Sequence, residues 1–370
     1  MLTYRKFLAA ISLLIGGLGA MAADERREIW FPSIPGYMTL KCDFHTHTVF
    51  SDGNVWPTVR IDEAWREGLD AIAVADHIEY RPHKDDVGNN LNRSYELMEE
   101  RARQQDILLV RGAELTHDTP PGHFNAIFVG DVMPLNTADF YAQFEQAAQQ
   151  NAFVFWNHPG WQGPERGRWG EEQTRLLEQG WLKGIEISNG DDYYRDAHQW
   201  AVEKKLTLIG DSDIHDPSPT TPWTPEQHRT LTLVLVQERS LDAIHAALVD
   251  GRTAVWCQNH LYGREPELSA LFAASVRVHP PHHRAGEDVW FRIDNACELD
   301  LELERTGTVG PQRLRLPARA GIIVRLRGTT SIPAEGMSYK VTNFLIGPDW
   351  PLPVQLTVPR QQGATGILPG

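Results

Sequence analysis

Five apolar runs in this chain each end in a side chain that binds metals, and that repetition constrains the fold more than any other feature. MTLKCDFHTH closes on His45 and His47, DAIAVADH on His77, ILLVRGAE on Glu114, AFVFWNHPG on His158, and LTLIGDSDIH on Asp213 and His215. Residues i and i+2 of a β-strand face the same side, so His45 with His47, and Asp213 with His215, can converge on one cation. Strand ends that deliver ligands to one edge are the arrangement of an α/β barrel, whose site lies at the C-terminal ends of its strands. Asp52 and His123 complete an ordered set of six histidines and three acids. One histidine or acid after a strand is ordinarily a cap or a loop residue, but five strand ends that repeat the placement point to a multinuclear metal site. Imidazole and carboxylate donors suit Zn, Mn or Fe, and the set lacks the cysteines of a structural zinc cage.

The alternation of patterns predicts strands near 38–44, 70–76, 107–114, 124–129, 153–157, 183–188, 206–211, 230–237 and 253–257. Helices are predicted at 58–68, 91–105, 137–149, 171–180, 194–204 and 240–250. Such β-α alternation implies a mainly parallel sheet, closed or nearly so. Near residue 265 the pattern changes to one helix, EPELSALFAAS, and a basic turn, VHPPHHRAGED. The alternating strands VWFRIDN, LDLELERT, GIIVRLRG and PVQLTVPR follow, separated by Gly and Pro. Residues 23–264 are therefore expected to form an α/β barrel, 265–360 a small antiparallel β module of sandwich type, and 361–370 a loose tail. The His279, His282 and His283 group sits in the basic turn with no acid in register and reads as a solvated loop.

The amino terminus carries Arg5 and Lys6, an apolar stretch from Phe7 to Ala20, and small residues at Ala20 and Ala22. This is the pattern of a secretory signal peptide over residues 1–22, which predicts a periplasmic or secreted protein with no membrane span after processing. An oxidising compartment permits disulfides, but only Cys42, Cys257 and Cys297 are present. Cys42, inside the first strand, reads as a small core residue. Cys257 and Cys297 are one conceivable pair, and disulfides are not expected to organise the fold. An apolar content of 41% supports a sizeable core, and a formal charge of −14 argues against a nucleic-acid scaffold. No G-x-S-x-G elbow or Walker loop occurs, against serine esterase and nucleoside triphosphatase readings.

The ordered motifs HTHTVFSDG (45–53), ADH (75–77), GAE (112–114), GHFN (122–125), NHPG (157–160) and GDSDIH (210–215) resemble those of the polymerase and histidinol phosphatase (PHP) family of metal-dependent phosphoesterases. The likeness covers roughly residues 38–260. It implies a distorted (β/α)7 barrel of the PHP type with two or three divalent metal ions. Carried over by position, His45, His47, Glu114 and Asp213 hold a first metal, and Glu114 bridges to a second held by His123 and His158. Asp52, His77 and His215 hold a third. His117 also follows Glu114 and competes with His123, which the preceding glycine and the apolar NAIFVG favour.

Two cations about 3.5–4 Å apart share a hydroxide of lowered pKa and clamp phosphoryl oxygens for in-line attack, without a protein nucleophile. The exported barrel with its β module is similar to secreted members of the family that act on organophosphate diesters, so a phosphodiesterase with a small-molecule phosphoester substrate is expected. A phosphomonoesterase of histidinol-phosphatase type, and a carbamate or carboxyl ester hydrolase on the same metals, are the alternatives. An intact ligand set argues against a purely binding protein. Arg81 and His83, on the loop after His77, are candidates to bind a phosphate oxygen or donate a proton, with a solvated loop as the alternative. Trp161 and Trp223 are candidates to wall an apolar substrate pocket. Oligomeric state is not set by these features.

Overall fold

The structure, a computed structural model, describes residues 25–219, 228–328 and 336–359. The expected signal segment, Trp223 and the tail lie outside the described residues. At the centre of the sheet is β1 (Met38–Thr46), parallel to β2 (Ala71–Val74), which is in turn parallel to β3 (Leu108–Leu115). Helix α1 (Pro57–Glu67) joins β1 to β2; it starts on Pro57, where a missing N–H is harmless, and stops at Gly68 with φ 86°. Helices α2 (Lys84–Val87) and α3 (Arg93–Gln105) precede β3.

After β3 the expected parallel order breaks. The 116–123 connection is shorter than the dozen or so residues that a parallel crossover needs, so β4 (Phe124–Ile127) returns antiparallel to β3. It is antiparallel also to β5 (Phe153–Trp156), which follows α4 (Phe140–Gln149). Parallel pairing then resumes: α5 (Glu171–Glu178) leads to β6 (Leu182–Asn189), paired with β5. The short β7 (Asp192–Tyr193) and α6 (Arg195–Lys204) lead to β8 (Thr207–Asp211), paired with β6. On the far side of β1 lie antiparallel β9 (Leu231–Val236) and, beyond α7 (Leu241–Asp250), β10 (Thr253–Cys257) and β11 (His260–Gly263). The sheet is thus rich in parallel pairs but mixed.

The barrel closes where β1 meets the chain leaving β8, through a parallel bridge between Thr46 and Ile214. Its other end is plugged by α7, which packs against β3, β5, β8 and β9. Ile244, Ala247 and Leu248 of α7 form one buried cluster with Leu40, Cys42, Phe44, Ala73, Val110, Phe153, Phe155 and Ile209. Each fully buried large side chain there contributes about 1.5–3 kcal/mol. Apolar packing fills the lower barrel, and the mouth is left for polar groups.

Beyond α8 (Glu265–Ser275) lie β12 (Val276–Val278), β13 (His283–Ala285), β14 (Asp288–Asn295), β15 (Leu301–Arg305), β16 (Arg313–Leu316), β17 (Gly321–Leu326), β18 (Met337–Leu345) and β19 (Pro351–Leu356). β14 pairs antiparallel with β12, β13 and β17; a second antiparallel layer runs β16, β15, β18, β19. Phe291, Ile293, Leu301, Leu303, Val324 and Tyr339 pack in the same buried cluster. This is the expected β module, joined to the barrel by parallel pairing of β18 with β11. The basic turn expected after α8 contains one short strand, β13, and His279 does have an acid partner: its Nε2 lies 2.7 Å from Asp294 Oδ2, brought near by the β12–β14 pairing. Cys42, Cys257 and Cys297 are all buried and free.

Candidate metal centre

A register shift between Asp43 and Thr46 interrupts the pairing of β1 with β2. Phe44 below it faces the apolar interior with Cys42, while His45 and His47 gather at the mouth. A bulge re-aims side chains in this way, and bulges recur beside functional sites. The following loop, TVFSDG, is folded by Asp76, whose carboxylate accepts from Thr48 N at 2.7 Å and from Ser51 Oγ at 2.9 Å. Gly53 is required where this loop closes, because a Cβ there would stand 2.7 Å from the main chain of His47 and Thr48.

Four donors converge at the centre. His45 Nε2 lies 3.1 Å from Glu114 Oε2 and 3.2 Å from Asp213 Oδ1, and His47 Nε2 lies 3.2 and 3.0 Å from the same two oxygens. The other Glu114 oxygen, Oε1, lies 2.9 Å from His123 Nδ1 and 3.4 Å from His158 Nε2. Asp52 Oδ1 lies 3.2 Å from His215 Nε2, 3.5 Å from His77 Nε2 and 3.8 Å from His47 Nδ1. The nine sequence-predicted residues therefore lie together, but not in the expected groups throughout. His45, His47, Glu114 and Asp213 form one set and His47, Asp52, His77 and His215 another, while the set at Glu114 and His123 includes His77, whose Nδ1 is 3.0 Å from Glu114 Oε2, and His158 stands at its edge. His123 rather than His117 stands at Glu114; the His117 ring packs on Phe140, with Nε2 2.7 Å from Gln143 Oε1.

These donors suit cations better than one another. His47 Nε2, Asp52 Oδ1 and Asp213 Oδ1 are buried and make no hydrogen bond despite their short separations. They belong to groups whose ligand atoms lie within 4.8 Å of one another, close enough to share a cation, and unpaired burial is unfavourable otherwise. His158 and Asp213 also have left-handed backbones, at φ 25° and 52°. Strain of this kind clusters at functional sites, where the surroundings hold it in place. Without cations, burial acts to lower His45 and His47, but the facing carboxylates of Asp213 and Glu114 raise both, His47 to about 9. Burial acts to raise Glu114, and His77 and His45 hold it well below the usual carboxylate range.

Several supports lie outside the predicted set. Glu186, fully buried on β6, takes His45 Nδ1 at 2.8 Å on one oxygen, and His158 N at 2.6 Å with Asn189 Nδ2 at 2.9 Å on the other. A carboxylate behind a ligating histidine fixes its tautomer, so that the opposite nitrogen keeps its lone pair for the centre. Asn157 Nδ2 donates to Glu114 Oε1 at 3.0 Å. The sequence signal for Glu186 was a lone acid inside the apolar strand GIEIS.

The open face is flanked by aromatic rings. Trp161, 51% exposed, stands 5.8 Å from both the His123 and His158 rings; Tyr80, 55% exposed, stands 6.0 Å from His77. Arg81 and His83 are not brought to the ligands: Arg81 reaches Asn89 Oδ1 at 3.5 Å, and His83 is an exposed residue ahead of α2.

A histidine and carboxylate cluster at the mouth of an α/β barrel marks a metal-dependent hydrolase, and comparison with known proteins narrows this class. A two-domain protein of Bacteroides vulgatus, described as containing a predicted PHP-like metal-dependent phosphoesterase, is 44% identical, with a TM-score of 0.85, over 91% of this chain and 100% of its own. The chain belongs to this family of PHP-like metal-dependent phosphoesterases. Residues 276–357 match an Ig-like domain family (DUF5001). An uncharacterized protein of Methanocaldococcus jannaschii is 36% identical over 81 residues, 22% of this chain; the match spans 36% of that relative's length. A candidate metal-dependent phosphoesterase of Bifidobacterium adolescentis is 15% identical with a TM-score of 0.41, over 57% of this chain and 96% of its own.

Proposed function

We propose that the protein is a phosphodiesterase for small organic phosphodiesters, with His45, His47, Asp52, His77, Glu114, His123, His158, Asp213 and His215 as its metal ligands. The observation that carries the reading is the pair of exposed aromatic rings, Trp161 and Tyr80, beside two different ligand groups. They offer the organic groups of an ester apolar rings beside the centre. A diester also carries less charge than a monoester, and the two buried arginines Arg60 and Arg229 are engaged with Glu63, Asp43, Glu67 and backbone carbonyls. Substrate charge is then met by the centre itself.

Divalent cations in such a centre supply a water of lowered pKa and neutralise charge on the phosphoryl oxygens. Glu114, with one oxygen toward each of two groups, sets the spacing between them. Glu186 keeps the His45 Nε2 lone pair aimed inward, and Asn157 holds the Glu114 carboxylate in its plane. Trp161 orients the ester group and sheds water from the open face. Arg81 and His83 follow Tyr80 on the exposed loop and are proposed as contacts made once substrate is present. The amino-terminal pattern supports export of a protein with its barrel at 23–264 and its β module at 265–360, which cell fractionation and limited proteolysis test.

The test compares bis-(p-nitrophenyl) phosphate, p-nitrophenyl phosphate and an aryl carbamate with Mn- or Zn-loaded protein, and with Asp213→Asn as control. Faster turnover of the diester, lost in the variant, is the expected result. Preference for the monoester or carbamate overturns the diesterase reading while leaving the metal centre in place.

A further inference from the structure

Helix α1 turns charged residues inward: Arg60, Glu63 and Glu67 are all buried, Arg60 completely. A guanidinium has five N–H donors in a rigid fork, and each of the five of Arg60 has a partner. Nε donates to His47 O at 2.8 Å; Nη1 to Glu63 Oε2 at 2.7 Å and Asp216 O at 2.8 Å; Nη2 to Ile214 O at 2.9 Å and His215 O at 2.7 Å. Four of these acceptors are main-chain carbonyls, and two of the four belong to candidate metal ligands.

The neighbours extend the same clamp. Glu63 Oε1 accepts from Ser218 N at 2.7 Å, and Asn54 donates through N to His215 O at 2.8 Å and through Nδ2 to Asp216 Oδ1 at 2.7 Å. Segment 214–218 is thereby fixed to α1 and to the loop after β1. Asp52 lies on that loop and His215 on that segment, and they face each other at 3.2 Å. An arginine that served only to seat α1 on the sheet would have no need of these particular carbonyls.

We infer that Arg60 is a positioning residue for the cation position framed by Asp52, His77 and His215, because one guanidinium fixes the strand end bearing His47 against the loop bearing His215. The inference rests on the proposed reading of the nine residues as metal ligands. Lysine cannot substitute, since an ammonium has three donors and no planar fork to span four carbonyls and a carboxylate.

The experiment strips full-length protein with chelator, reloads it with Mn, and counts bound metal by mass spectrometry in wild type, Arg60→Lys, Arg60→Ala, His215→Ala and Asp213→Asn, with circular dichroism as the fold control. Both Arg60 variants are expected to hold about one equivalent less than wild type, as His215→Ala does. Guanidinium ion below denaturing concentration is expected to restore the missing equivalent to Arg60→Ala but not to His215→Ala. Wild-type metal content in Arg60→Lys and Arg60→Ala overturns the inference, as does a wild type that holds no more metal than His215→Ala. If Arg60→Ala fails to fold, Arg60→Lys decides by the same count. Unchanged content in Asp213→Asn identifies a different fault, in the metal-centre reading itself.

Discussion

Replacing Glu186 by Gln changes the shape of a buried side chain very little and its hydrogen bonding completely. Three donors converge on this carboxylate: His45 Nδ1, the His158 amide and Asn189 Nδ2. An amide has one acceptor oxygen and one NH2 group, so either orientation sets a donor against a donor. With the NH2 toward His45, the ring is driven to the tautomer whose Nε2 carries the proton, which removes that lone pair from the centre. With the NH2 toward His158, the main chain of a ligand residue at φ 25° loses its anchor. Loss of such a supporting partner costs about 10–100-fold in metal affinity or activity, equivalent to about 1.4–2.8 kcal/mol. A buried donor left unpaired costs stability too, about 1–3 kcal/mol. Glu186→Gln is therefore expected to bind Mn or Zn about 10–100-fold more weakly in a competition titration, and to melt lower. Metal affinity within threefold of wild type would refute the assignment of Glu186 as the residue that orients His45.

Other outcomes follow from the same geometry. In metal-free protein, burial acts against a charged His47, but Asp213 and Glu114 raise it to about 9. Raised above an unfolded value of about 6.5, this group stabilises fully below that pH, and its contribution is lost as pH climbs through 9. Chelated protein should accordingly lose thermal stability from about pH 6.5 to 9, and metal-loaded protein should not; a flat profile for the chelated form would contradict the pairing. Trp161→Ala should raise KM for bis-(p-nitrophenyl) phosphate by about 2–10-fold, the size of an aromatic contact, with metal content unchanged. His123→Ala should lower metal content and His117→Ala should not, a contrast read by the same metal count.

Much of the centre was legible because strand periodicity and chain order act locally. Apolar runs that end in ligating residues placed β1, β3, β5 and β8 and the side chains at their ends. What was hidden depends on partners distant in sequence. The register shift between Asp43 and Thr46 beside His45 is a property of the β1–β2 pairing, not of the MTLKCDFHTH pattern. Glu186 looks like an ordinary acid until the fold carries it 141 positions along the chain to His45. The acid partner of His279 is hidden in the sequence because Asp294 comes near it only through β-module pairing. The mainly parallel sheet expected from β-α alternation is present, and β4 departs from it because the connection after β3 is too short for a crossover. Strands β16 and β18 add to the expected set, and Arg81 and His83 lie farther along the loop after His77, whose contacts with the ligand residues are made by Ile78 and Tyr80.

The most direct measurement is anomalous diffraction from crystals of Mn-loaded protein. Peaks within the His45, His47, Glu114 and Asp213 group, beside Glu114 toward His123 and His158, and within the Asp52, His77 and His215 group are the expected result. A barrel mouth without anomalous signal, with Mn at the His279 to His283 tract or elsewhere on the β module, would contradict the account.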